Sequence, residues 1–296
     1  MTHERLSLAA KGRGRHYSPF RGLTESALRA AYRGDWPARA WGLLPRAADV
    51  HRLDHRIPLP ERSFSSDAAR PPLRIAFASD LHLGPTTSPR TLDRAFALLA
   101  EAAPDVLVLG GDYVFLDATE ARALELERRV AAVPARTKVA VLGNHDLWTH
   151  HTRLERALER AGARVLINDA VRLPKPHDDI AVLGLDDPWS GSPDGEAALR
   201  ACGDAPVKIA VSHSPDGVPF IRDRGVCLLL AGHTHGGQIA LPGPRPIVVP
   251  GPLGKRWPYG LHREGDLTLF VSRGIGASEL PIRAFAPPDI AVFTLG

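Results

Sequence analysis

A chain of 296 residues with 44% hydrophobic composition can bury one large core, and it contains no run of about 18 apolar residues that would mark a membrane-spanning helix. Its two cysteines, Cys202 and Cys227, exclude a disulfide framework and suit a reducing, cytoplasmic setting. The formal charge of +4 is unevenly placed: residues 1–70 hold 13 Lys+Arg against 7 Asp+Glu, so basicity belongs to the N-terminal arm.

Residues 1–20 are Arg- and Gly-rich without an apolar h-region, so no secretory signal is expected. Residues 1–22 read as irregular. An amphipathic helix is expected from Thr24 as N-cap, with Glu25 in its first turn, to about Gly34. The Trp/Pro stretch Trp36-Pro37 and Trp41-Gly42-Leu43-Leu44-Pro45 follows. A polar linker over 61–72 then leads into the first clear strand, placing a boundary near Arg70 between an arm (1–70) and a domain (71–296).

From Leu73 the pattern alternates. Strands are expected over 73–79, 106–109 and 139–142, and helices over 89–102, 118–133 and 151–161. Such alternation predicts parallel βαβ units, with ligands bound at the carboxyl ends of the strands. The second half changes to short strands over 163–168, 171–173, 180–185, 208–212, 227–231, 268–272 and 290–294. That change predicts a second, more mixed sheet packed on the first, giving an α/β fold. The Pro/Gly-rich run 241–254 reads as a long loop on the rim of a site.

Five segments, each closing an apolar run, carry the chemistry: Asp80-Leu81-His82, Gly111-Asp112, Gly143-Asn144-His145-Asp146, Ser212-His213 and Gly232-His233-Thr234-His235. Carboxylate oxygens and imidazole nitrogens in loops leaving strands suit borderline divalent ions such as Zn, Mn or Fe(II). Two glycines before Asp112 allow a tight turn, and a central carboxylate there can bridge two cations. The ligands are too many for one tetrahedral ion and suit two. The histidines His3, His16, His51, His55, His177 and His262 read as isolated surface or core residues. His150 and His151 read as surface.

This ordered series resembles that of the calcineurin-like metallophosphoesterases, over residues 73 to 296. Val271-Ser272-Arg273-Gly274-Ile275-Gly276 and Leu280-Pro281-Ile282-Arg283 further resemble a bacterial branch. That branch holds wall- or membrane-associated phosphodiesterases and the UDP-2,3-diacylglucosamine pyrophosphohydrolases of lipid A synthesis. The resemblance implies two mixed sheets packed as a sandwich and flanked by helices, in four αββα layers. It also implies a dinuclear centre. Asp80, His82, Asp112 and His235 would hold one metal, and Asp112, Asn144, His213 and His233 the other. His145 stays unligated as the catalytic residue, and Asn144 and Arg273 are the expected substrate contacts. A hydroxide shared by the metals would attack phosphorus in line, cleaving a phosphodiester or pyrophosphate.

One position departs from the pattern. Several phosphatases of the superfamily carry an aspartate three residues after the Gly-Asp aspartate to orient the catalytic histidine, and here Phe115 stands there. Asp117 or backbone is the expected substitute, and a substrate with a good leaving group is favoured over a phosphoprotein. No ligand is missing, which speaks against the alternative from another class, a non-catalytic metal-binding scaffold. The arm's arginines, with Trp36 and Trp41, predict peripheral contact with an anionic membrane at the inner-membrane surface and a lipid-linked substrate. Nucleic acid is not expected, since aromatic and basic residues do not interleave.

Overall fold

The computed structural model describes residues 19–59, 71–243 and 245–296. The tail before residue 19, with His3 and His16, and most of the expected 61–72 linker lie outside the described residues.

Two six-stranded mixed sheets form the centre. The first contains β1 (His51–Ile57), β2 (Leu73–Ala78), β3 (Val106–Leu109), β4 (Thr137–Ala140), β5 (Ala163–Val165) and β14 (Asp289–Leu295), in the order β1-β14-β2-β3-β4-β5. Strands β2 to β5 run parallel, and β14 enters antiparallel to β2. The second contains β6 (Asp169–Arg172), β7 (Ile180–Gly184), β8 (Val207–Val211), β9 (Val226–Ala231), β12 (Gly260–Glu264) and β13 (Leu267–Val271), in the order β12-β13-β9-β8-β7-β6. A two-stranded ribbon, β10 (Ala240–Leu241) with β11 (Arg245–Pro246), sits in the long loop before β12.

Strand alternation explains why the sheets stack. Along β2, Ile75 and Phe77 point between the sheets, while Ala76 and Ala78 face the helices. Along β9, Leu228 and Leu230 meet them from the other side, and Leu229 and Ala231 face the outer layer. Phe77 meets Phe270 edge-on across the interface, with centroids 6.2 Å apart. Helices Pro89–Glu101, Glu120–Ala132 and His151–Arg160 bury their apolar stripes on the first sheet, including Leu92, Leu99, Leu126, Val130, Leu154 and Leu158. Ser88 and Thr119 cap the first two, accepting the N–H of Arg90 and Arg122. Four layers result, as expected.

The N-terminal region departs from its reading. Among the described residues the first helix is Pro19–Ala31, not one capped at Thr24. The Thr24 hydroxyl donates back to Phe20 O at 3.0 Å, as a mid-helix threonine does. Helix Trp36–Gly42 follows, and β1 pairs in parallel with β14 as the edge of the first sheet. Residues 51–57 therefore join the central sheet although they precede Arg70. The helix Pro19–Ala31 is pinned across the domain by Arg29 to Asp117 (2.9 Å) and Arg21 to Glu279 (2.9 Å). Tyr32 Oη adds a bond to Glu279 O at 2.9 Å. Among the described residues, no helix is long and apolar enough to cross a membrane.

Candidate metal centre

All five motifs meet beyond the carboxyl ends of β2, β3, β4, β8 and β9. Asp80, His82, Asp112, Asn144, His213, His233 and His235 are all buried. Five of them, Asp80, His82, Asp112, His233 and His235, have φ between 44° and 72°, in the left-handed region. Non-glycine residues rarely sit there, and such strain concentrates where side chains are aimed for function. Close approach of the loops demands glycine at two neighbours. A Cβ on Gly143 would lie 2.2 Å from Asp112 Oδ1, and one on Gly232 would lie 2.3 Å from Asp80 Oδ2.

Two groups of donor atoms share one carboxylate. In the first, His82 Nε2 lies 3.1 Å from His235 Nε2, and His235 Nε2 lies 3.4 Å from Asp80 Oδ1. In the second, His213 Nε2 lies 3.2 Å from both Asn144 Oδ1 and His233 Nδ1. Asp112 Oδ2 stands between them, 3.6 Å from His82 Nε2 and 3.2 Å from His213 Nε2. Asp80-His82-His235 and Asp112-His213-His233 each converge closely enough to hold a metal ion, and His145 converges likewise with His82 and Asp112.

The donor chemistry fits divalent cations. Burial keeps the His82 and His233 rings neutral, with pKa values lowered to about 4 and about 3. Their lone pairs are therefore available as ligands. His213 Nδ1 lies 2.8 Å from Gly110 O; with the proton placed there, Nε2 faces two acceptors, Asn144 Oδ1 and Asp112 Oδ2. Acceptors packed this closely call for positive charge among them. Consistently, burial alone would lower the His213 pKa, yet Asp112 and then Asp80 hold it well above 6.5. Burial likewise opposes the Asp112 charge, but His213 and His145 hold its carboxyl well below the usual range. Burial, with Asp112 beside it, raises Asp80 to about 6.

His145 sits against the cluster, with its ring 4.9 Å from that of His82, 5.0 Å from Trp148 and 5.5 Å from Phe115. Burial first, then His82 and Arg21, hold its pKa well below 6.5 against the pull of Asp112. The expected stand-in for the missing aspartate is engaged elsewhere: both Asp117 oxygens accept from Arg29 Nε. Aromatic packing against Phe115 and Trp148 positions this ring instead. Arg273 was expected to aim at phosphate. Its Nε donates to Asp289 Oδ2 at 2.9 Å, its guanidinium lies over Tyr259, and it does not line the cavity above the donors. His151, expected at the surface, is buried beside Glu155, whereas His150 is exposed.

Above the donors opens a cavity of about 650 Å³. Asp112, Asn144, His145, His233 and His235 line it together with Trp148, Trp189, Ile239, Ile247, Val248 and Leu280. Arg21 lines it as well, its guanidinium 4.4 Å above the Trp148 ring and paired with Glu25 and Glu279. Spacing along the chain gave no sign of Arg21, which reaches the cavity only because its helix docks there. Arg283, noted in the sequence only within the Leu280-Pro281-Ile282-Arg283 run, reaches the site too: Nη2 lies 3.1 Å from His235 Nδ1, against the imidazole edge away from the donors.

A two-sheet sandwich with a strained Asp/His/Asn cluster at its strand ends defines a metal-dependent phosphohydrolase. Residues 73–237 match the family model for calcineurin-like phosphoesterases. The chain is 34% identical to YkuE, an uncharacterized metallophosphoesterase of Bacillus subtilis, over 75% of this chain and 78% of that protein. It is 30% identical to the phosphodiesterase YaeI of Escherichia coli, covering 78% and 84% of the two chains. It is also 26% identical to LpxG, a UDP-2,3-diacylglucosamine pyrophosphatase of Chlamydia muridarum, covering 84% and 90%. The chain belongs to the calcineurin-like phosphoesterase family.

Proposed function

We propose that this enzyme hydrolyses a phosphodiester or pyrophosphate bond in a substrate that carries an apolar group. The observation that carries this reading is one cavity whose floor is the Asp/His/Asn cluster and whose wall is Trp148, Trp189, Ile239, Ile247, Val248 and Leu280. Val248 and Ile247 are 72% and 58% exposed, an unfavourable position for aliphatic side chains unless an apolar ligand covers them. The names of two relatives, a phosphodiesterase and a lipid-precursor pyrophosphatase, support the same reaction class.

In this reading Asp80, His82, Asp112 and His235 would hold one divalent ion, and Asp112, Asn144, His213 and His233 would hold a second, with Mn, Zn and Fe(II) all suited to the donors. Such ions supply positive charge for phosphoryl oxygens and acidify water at neutral pH. The protein does the rest. His145, neutral and fixed by Phe115 and Trp148, donates its N–H to a phosphoryl or leaving-group oxygen. Asn144 serves both as ligand and as substrate contact, and Arg21 adds charge at the cavity wall. Trp148 and Trp189 limit water above the reacting centre.

A UDP-2,3-diacylglucosamine-type substrate is the finer reading, favoured by the exposed apolar rim. The exposed Phe20, Leu23 and Leu43 within the basic arm further support work at a membrane surface. The test is turnover of bis-p-nitrophenyl phosphate and a panel of acylated and non-acylated pyrophosphates by full-length enzyme with Mn, Zn, Fe(II) or Mg. Metal-dependent turnover with preference for acylated substrates is expected. No hydrolysis with any metal would overturn the reaction, and a preference for non-acylated substrates would overturn the apolar reading alone.

A further inference from the structure

Three consecutive residues, Ser278-Glu279-Leu280, line the cavity above the donors, and the side chain of Gln238 holds them there. Gln238 Nε2 donates to Ser278 O at 3.0 Å and to Leu280 O at 2.9 Å, and its Oε1 accepts the Ser278 N–H at 2.8 Å. A primary amide has two N–H groups and one carbonyl oxygen, so no N–H is left for a substrate, although Gln238 itself lines the cavity. Its role is to place its neighbours.

The flanks of this segment are anchored by other groups. Ala277 N–H bonds Thr87 Oγ1, Gly276 O accepts from Arg283 Nε at 2.8 Å, and Ala284 N–H donates to Gln238 O at 3.0 Å. Among the described residues, the hydrogen bonds that tie the crest 278–280 to the domain are those of the Gln238 amide. Those that tie it to the helix Pro19–Ala31 and its end come from Arg21 and Tyr32. Gln238 and Glu279 have φ of 54° and 57°, in the left-handed region where residues other than glycine are uncommon.

Two binding features hang on the crest. Glu279 Oε1 pairs with Arg21 Nη2 at 2.9 Å and so fixes the guanidinium at the cavity wall, and Leu280, 48% exposed, is part of the apolar wall. Gln238 stands three residues after the donor His235, and its backbone N–H bonds His235 O at 2.9 Å. One amide thus registers the charge and the apolar wall against the donor cluster.

We propose that Gln238 is a specificity-determining residue. By fixing Ser278-Glu279-Leu280, it sets the spacing between the scissile phosphorus and the apolar group of the substrate. The assignment rests on the phosphoester reading of this cavity.

The full-length, metal-loaded enzyme tests it. Gln238→Glu is nearly isosteric and still accepts the Ser278 N–H, but it turns two donated bonds into repulsion from two carbonyls. Gln238→Ala removes the bonds without adding charge and should shift the kinetics the same way. KM for UDP-2,3-diacylglucosamine should rise about tenfold with kcat within about twofold, and metal titration should match wild type. Joining Gln238→Glu to Arg21→Gln should raise KM for bis-p-nitrophenyl phosphate no further than Arg21→Gln alone, because both act through one crest. That cycle uses a substrate without an acyl chain, so it decides the role of Gln238 even where wild type shows no preference for acylated substrates, the result that would sink the apolar reading. Additive KM effects in the cycle, a fall in kcat matching the rise in KM, or weakened metal binding would overturn the proposal.

Discussion

The Asp146 carboxylate accepts the backbone N–H of Asp112 at 2.8 Å, and it also accepts those of Tyr113 at 2.8 Å and Gly143 at 2.9 Å. A residue that reaches neither the cavity nor the donor cluster thus ties the Gly-Asp loop to the Gly-Asn-His loop. Returning the contact, Asp112 Oδ1 accepts the N–H of His145 at 2.9 Å. These bonds set where the shared carboxylate stands.

Asp146→Asn should therefore act at a distance. The new amide turns an N–H toward at least one backbone donor, leaving it unsatisfied at a cost of about 1–3 kcal/mol. Metal affinity should fall about 10–100-fold, the usual effect of disturbing a group that orients a ligand. Thermal unfolding and metal titration on one preparation measure both. A variant that binds metal like wild type would refute the positioning role.

The donor cluster was legible in the sequence because each donor lies close after a strand end, and a strand end is visible as an apolar run giving way to glycine or polar residues. Strands β2, β3 and β9 were legible for the same reason: both faces are buried, so they read as continuous apolar stretches. Strand β1 was not. As an edge strand, His51-Arg-Leu-Asp-His-Arg-Ile needs only Leu53, His55 and Ile57 toward the core, where His55 stacks on Phe293. Arg21 and the cradle of Asp146 were hidden differently. Their roles depend on the docking of segments distant in sequence or on backbone partners, which spacing does not encode.

Arg21 gives a second test. Its ion pair with Glu279 is partly exposed and is worth at most about 1 kcal/mol to the fold. The larger consequence of Arg21→Gln lies in the cavity, where one charged contact to an anionic substrate is lost. KM should rise about tenfold, corresponding to about 1.4 kcal/mol, with kcat nearly unchanged. A fall in kcat at constant KM would place Arg21 in the chemical step instead.

The apolar rim makes a third. Val248→Ser removes two methyl groups from a position that an acyl chain would cover, at a cost of about 1–2 kcal/mol in binding. Turnover of an acylated pyrophosphate should drop about tenfold in kcat/KM, while bis-p-nitrophenyl phosphate, too small to reach the rim, is hydrolysed as before. Equal losses on both substrates would point to a distorted loop rather than a lost contact.

His145 poses the sharpest question, because its ring leans on Phe115 and Trp148 where the sequence resemblance led to the expectation of a carboxylate. Without that partner, and with burial holding its pKa well below 6.5, the imidazole is neutral before the reaction begins. A neutral ring can donate a hydrogen bond to a developing charge but starts with no surplus proton to give away. Glutamine keeps an N–H at similar reach, and alanine keeps none. His145→Ala should lose about 10²–10³ in activity, the range found for removing one such donor, and His145→Gln should retain about tenfold more activity than His145→Ala. Leaving-group identity separates the two roles further. A hydrogen-bond donor to phosphoryl oxygen costs the same on nitrophenyl and alkyl diesters when removed. An obligatory acid costs far more on the alkyl ester, whose alkoxide cannot depart unprotonated. Matched losses on both esters are expected from this geometry; a much larger loss on the alkyl ester would make His145 the acid despite Phe115.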